Sequence, residues 1–172
     1  MITHTQKRNH PLVISFSILL MVCENSFADF ASITDPALRA CVSRLAIENN
    51  WQTPEEVTHI KCHNAEIKSA QGLDKFTHLR KLSLYKNEIE EIVIPPLAEL
   101  EHLNIAGNKL TRLHLKNLPS LREFFVFKNK LESLTFDQAP NLSKLKANNN
   151  QLTELRFNNT QSLQKLYVFD NE

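Results

Sequence analysis

The sequence predicts a solenoid, a right-handed coil in which every turn lays one short parallel strand on a shared sheet and returns along an extended back. Two observations carry that reading. Five segments align without gaps, starting at Leu79, Leu100, Leu121, Leu142 and Leu163, each 21 residues after the last, and a fixed period of this size is the signature of a repeat architecture. Within each segment, inward apolar positions alternate with outward ones, the period of a strand, and an Asn recurs at the ninth position as Asn87, Asn108, Asn129, Asn150 and Asn171.

The chain opens with a stretch that stands apart from the repeats. Lys7 and Arg8 form a positive n-region, "PLVISFSILLMV" (Pro11 to Val22) is an apolar run of 12 residues, and "SFA" (Ser26 to Ala28) supplies small residues at a cleavage site. That run is shorter than the roughly 20 residues of a membrane-spanning helix. Residues 1–28 are therefore expected to be a signal peptide, the alternative being an uncleaved anchor or a buried helix. Met21 and Val22 lack the small residues that bacterial lipoprotein signals carry, which argues against a lipid on Cys23. The expectation is a mature chain from near Asp29, secreted or periplasmic, with no membrane span.

Setting aside Lys7, Arg8 and Glu24 from the 20 basic and 19 acidic residues leaves 18 of each. Such a neutral balance argues against nucleic acid or an anionic membrane as the main partner, because both require a net basic surface. It also leaves two cysteines, Cys41 and Cys62. In an exported protein such a pair reads as a disulfide, and closing the loop between them contributes about 3 kcal/mol by the chain-entropy estimate. Two buried free thiols are the alternative.

Residues 29–56 read as an N-terminal cap. Asp35 is placed to cap a helix with Pro36 at its first position, and Leu38, Cys41, Val42, Leu45 and Ala46 recur at helical spacing. This helix is expected to cover the apolar end of the first turn. Cys41 lies on its inner face and Cys62 at an inward strand position, so the pair staples cap to coil. Trp51 is expected at the same junction.

Residues 57–172 are the repeats: about six turns, the last incomplete. The strong copies are "LRKLSLYKNEI", "LEHLNIAGNKL", "LREFFVFKNKL", "LSKLKANNNQL" and "LQKLYVFDNE", with a weaker copy, "VTHIKCHNAEI", starting 22 residues before Leu79 at Val57. Positions four and six point into the core, and the ninth-position Asn supports a sharp turn by bonding backbone groups that would otherwise be buried unpaired. This LxxLxLxxNxL pattern resembles the leucine-rich repeats, a resemblance that covers Val57 to Glu172. The second half of each turn carries a weaker copy of the same pattern, from Ile89, Leu110, Leu131 and Leu152. The back is therefore expected to be extended, with no room for a helix. Nested 21-residue repeats of this kind resemble the bacterial variety called IRREKO, although the Asp of its second-half LDL is absent in every copy here. The stretch from Ala65 to Asn87 looks like the repeat of internalins. The fold class implied is a leucine-rich repeat solenoid with a parallel β-sheet on its concave face, an extended strand-like back, an N-terminal helical cap and an uncapped C-terminus. The motif stops at Asn171-Glu172, and the two expectations for this edge are truncation of a longer repeat protein or self-association through the uncapped turn.

No catalytic constellation emerges. His59, Cys62 and His63 are the one close group with metal-ligand residue types, and strand alternation sends Cys62 inward and both histidines outward. Gly72 and Gly107 are the only glycines, too few for a phosphate-cradling loop, and no serine sits in a nucleophile elbow. The expectation is a protein that is not an enzyme and uses neither metal nor cofactor. Candidate binding residues then come from the outward strand positions. Five aromatics point there, Tyr85, Phe125, Phe127, Tyr167 and Phe169, with Lys128, Lys146 and Lys165 among them. Exposed aromatic clusters favour a partner, although cross-strand aromatic pairs also stabilise a sheet without one. The expected function is an exported binding module that recognises a protein or peptide through its concave face. The alternative is a structural or envelope-associated repeat segment, part of a longer protein whose activity lies elsewhere.

Overall fold

The computed structural model describes residues 30–171; the signal peptide expected at residues 1–28, and Glu172, lie outside the described residues. The chain begins with a 3-10 turn, Phe30–Ser32, followed by α1 (Pro36–Asn49). Nine strands follow: β1 (His59–Lys61), β2 (Lys81–Ser83), β3 (His102–Asn104), β4 (Arg112–Lys116), β5 (Glu123–Phe125), β6 (Ser133–Asp137), β7 (Lys144–Lys146), β8 (Glu154–Asn158) and β9 (Lys165–Tyr167). They form two parallel sheets, a six-stranded front in the order β1-β2-β3-β5-β7-β9 and a three-stranded back in the order β4-β6-β8. The chain is a solenoid of parallel strands, as the repeats imply. The extended back foreseen from the nested half-repeats is a sheet from the third turn onward. In the first turn the internalin-like stretch instead places a 3-10 turn, Leu73–Lys75, behind the strand.

Register follows the repeat. Leu82, Leu103, Phe124 and Leu145 at position four, and Leu84, Ile105, Val126 and Ala147 at position six, are buried, and the position-one leucines 79, 100, 121 and 142 lie beneath them. The core alternates front and back residues: Phe124 meets Phe136 edge-on at 5.7 Å between centroids, and Phe136 stacks on Phe157 at 5.5 Å. In the last turn the same inward positions are uncovered, Leu166 being 43% and Val168 37% exposed.

The ninth-position asparagines form a ladder. The Asn129 amide donates to the carbonyls of Ile105 (3.1 Å) and Val126 (2.9 Å), and its Oδ1 accepts from Leu110 N–H (3.1 Å). Asn87, Asn108, Asn150 and Asn171 repeat the arrangement, each reaching back to the preceding turn. The sharp turn itself lies one residue earlier. Asn64, Lys86, Gly107, Lys128, Asn149 and Asp170, all at position eight, have φ between 49° and 66°. The ladder braces a left-handed residue beside it, which is why side chains other than glycine are held in that conformation.

The cap closes the other end through Asp35. Its Oδ1 accepts from the N–H groups of Ala37 and Leu38, both at 2.9 Å, as a helix N-cap. Oδ2 accepts from Lys68 (2.9 Å) and Ser69 (3.1 Å) in the first turn. Burial acts to raise the Asp35 pKa, but the four backbone donors together outweigh it and hold the carboxyl below its ordinary value. Asn50, at φ 57°, ends the helix. Cys41 and Cys62 form a disulfide with Cα atoms 6.0 Å apart, linking α1 to the residue after β1. Trp51 packs partly buried against the core, its ring edge-on to His59 at 4.9 Å. Phe30 stacks on Phe76, and at Gly72 any Cβ would fall within 2.8 Å of Ile33 Cα, so only glycine lets the first segment close on the coil.

Candidate functional site

The outward residues of the front sheet form rows that run across the strands in register. Row three reads His59, Lys81, His102, Glu123, Lys144, Lys165, and row five reads Lys61, Ser83, Asn104, Phe125, Lys146, Tyr167. Position seven, just past the strands, adds His63, Tyr85, Ala106, Phe127, Asn148 and Phe169.

The five predicted aromatics divide into three situations. Tyr85 and Phe127 sit two turns apart, yet their ring centroids are 6.1 Å from one another. Ala106 between them is fully buried, so the two rings close over the small residue and pack together. His63 extends this line, edge-on to Tyr85 at 5.6 Å with its Nε2 2.7 Å from Ser83 Oγ; burial, with Lys61 nearby, lowers its pKa.

Phe125 and Tyr167 share a different device. Lys146 lies between them in row five, its ammonium 5.6 Å from the Phe125 ring and 5.3 Å from that of Tyr167, and Lys144 approaches Phe125 at 5.1 Å. Cation–π contacts of this kind contribute about 0.5–1 kcal/mol at exposed sites, and the lysine stems shield the rings from water. Lys146 therefore has partners within the sheet. Among the described residues, Lys165 and Lys128 have no ion-pair or ring partner. Phe169, 57% exposed in the last turn, is the least covered of the five aromatics.

Where row five holds short polar side chains, the sheet is hollow. Ser83 and Asn104 replace the bulky residues found further along, leaving a concavity of about 490 Å³ over β1, β2 and β3 with Phe125 as one wall. Its rim carries His59, Lys61, Arg80, Lys81 and His102, and no carboxylate lines it. Apart from Phe125, none of these residues was foreseen as a site. The first turn belongs to the weaker "VTHIKCHNAEI" copy, and extending the 21-residue alignment across its one-residue offset would have set Lys61 beside Ser83. Two carboxylates near it, Glu99 and Glu123, are already engaged. Glu99 is held below its ordinary pKa by hydrogen bonds from His78 and Arg80. Desolvation acts to raise the Glu123 pKa, but Lys144 and His102 outweigh it.

Cys62 is turned into the disulfide while His59 and His63 point outward to Trp51 and Ser83. The three diverge, as strand alternation requires. No helix among the described residues is long and apolar enough to cross a membrane.

The family described as the LRR domain of the endo-beta-N-acetylglucosaminidase EndoS matches residues 33–171. Among solved structures, an internalin (inlF) from Listeria monocytogenes aligns with a TM-score of 0.44 at 16% identity, covering 84% of this chain and 78% of that one. The functional domain of InlJ from the same organism, which includes a cysteine ladder, aligns with a TM-score of 0.48 at 21% identity over 86% of this chain and 43% of its own. No curated protein matches.

Proposed function

Since the chain belongs to this leucine-rich repeat family across residues 33–171, we propose that it is an exported, non-enzymatic module that binds a protein or peptide partner on the concave face of its front sheet. The observation that carries the reading is the aromatic surface in register on that face. Phe125 and Tyr167 flank Lys146, and Phe169 stands largely uncovered beside them. Rows of aromatic and cationic side chains on a rigid sheet present a large contact area at little entropic cost, as binding surfaces require. A partner that covered about 200 Å² of apolar area there would gain about 5 kcal/mol before association costs. Tyr85 and Phe127 contribute as a preformed platform, and Lys128 and Lys165 supply free cations at its margin.

Export rests on residues 1–28 and on the Cys41–Cys62 disulfide, which belongs in an oxidising compartment. In this reading residues 29–56 form the cap and residues 57–172 the repeats. The family's description as one domain of a glycosidase favours a second reading, in which the repeats serve as a segment of a longer protein with its activity elsewhere.

Replacing Phe125, Phe127, Tyr167 and Phe169 together with Ser tests the proposal. A photo-crosslinker at position 165 should capture a partner from an extract of cell-envelope and secreted proteins in the parent chain and lose it in the fourfold variant. The same crosslinker at Val93, 85% exposed on the back, should capture nothing specific. Undiminished capture by a folded fourfold variant would sink the concave-face reading.

A further inference from the structure

The hollow over β1, β2 and β3 has a definite charge and length, and from these we infer that its occupant is a short acidic peptide segment in extended conformation. This rests on the concave face being the binding surface, and it deepens that reading by naming the ligand and moving its centre toward the cap. Three features converge. The rim is basic over the first two strands, through Lys61, Arg80 and Lys81, with no carboxylate in the lining. Among the described residues Lys61 and Lys81 make no ion pair, while Arg80 is paired with Glu99. The excess charge is thus located at Lys61 and Lys81, on neighbouring strands, where it has no ion-pair partner among the described residues.

Dimension is the second feature. Four strands, β1 to β5 along the sheet, span about 14 Å at roughly 4.8 Å per strand, the reach of about four or five extended residues. Chemistry at the far end is the third. Phe125 closes the hollow there, its ring suited to one apolar side chain, and on the floor Asn104, whose Oδ1 accepts from Ala106 N–H, turns its amide nitrogen to the task of donating to a peptide carbonyl. The ligand so described has carboxylates over Lys61 and Lys81 and an apolar residue against Phe125. A uniformly anionic polymer would leave the Phe125 wall unused, which is why the geometry favours a peptide.

Fluorescence anisotropy with the full chain tests this, using labelled Glu-Glu-Phe-Glu-Glu as probe and Lys-Lys-Phe-Lys-Lys as control. The acidic peptide should bind and weaken several-fold as salt rises, since screening acts on exposed charges, and the basic peptide should not bind. Lys61→Glu with Lys81→Glu should weaken binding by at least about tenfold; the milder pair Lys61→Ala with Lys81→Ala should fall between, and guards against misfolding in the first. Val93→Ser, on the back of the coil, should leave this affinity unchanged. Equal binding of the two peptides, no binding of either, indifference to the lysine substitutions, or preferential binding of heparin over the peptide would each overturn the inference. Should the acidic peptide fail while the fourfold aromatic variant still loses its partner, the hollow is excluded and the concave-face function stands; failure of the peptide together with undiminished capture by the fourfold variant removes the face altogether.

Discussion

At the scale of single residues, Asp35 does the work of two. One carboxylate oxygen caps α1 and the other holds the first turn through Lys68 and Ser69, so the residue joins cap and coil. Asp35→Ala leaves four backbone N–H groups without their acceptor and should lower stability by about 2–3 kcal/mol, read from urea denaturation. The pH dependence has a defined sign. Because the folded-state pKa is depressed, the charged carboxylate's contribution is fully present above the unfolded value near 4 and is lost as pH falls through the folded value. The stability difference between the parent and Asp35→Asn should therefore be constant at neutral pH and shrink in strong acid. The capping role was legible from "TDPALRA", where Asp precedes Pro and a helical pattern. The second role was not, because Lys68 and Ser69 lie more than thirty residues away and only the folded coil brings their N–H groups to Oδ2.

At the scale of the repeated element, the asparagine ladder decides how sharply each turn closes. Asn129→Ala removes a donor to Ile105 and Val126 and an acceptor for Leu110, an expected loss of about 2–3 kcal/mol. Asn129→Asp retains the acceptor but turns a negative charge toward two carbonyls, so it should recover none of that stability. Denaturation midpoints of the two variants against the parent check both. Recurrence of Asn every 21 residues made the ladder readable from the sequence. Its companion, the left-handed residue at position eight, was not readable, because Asn, Lys, Gly and Asp all occupy it. What unifies them is backbone conformation rather than side-chain type. Row seven illustrates the same limit: alternation places Tyr85 and Phe127 on the outer face, but whether two such rings reach each other over Ala106 depends on rotamers and on strand separation.

At the scale of the whole molecule, stability is a sum over neighbouring turns, and equal substitutions should have unequal effects along the coil. Leu145 and Leu166 hold the same repeat position and pair across the β7–β9 ladder, yet the first is fully buried and the second 43% exposed. Leu145→Ala should cost about 3 kcal/mol and Leu166→Ala about 1 kcal/mol, since an exposed edge loses little burial and opens no cavity. Thermal or urea unfolding of the two variants measures the contrast; equal losses would mean that another surface covers the last turn in solution. The disulfide acts at the opposite end, where α1 closes the first turn and the bond limits fraying.

The sequence by itself determined the coil, its register, the inward and outward rows and the capping helix. All of these follow from period, alternation and local capping, which are properties of residues close in the chain or spaced at a constant interval. Only the tertiary structure decided which outward residues remain available. Tyr85 and Phe127 are spent partly on each other, Phe125 and Tyr167 share Lys146, and the hollow beside them exists because Ser83 and Asn104 are short where their row neighbours are long. Availability is a matter of what lies one or two turns away, a distance of a few ångströms across the sheet and some twenty to forty residues along the chain.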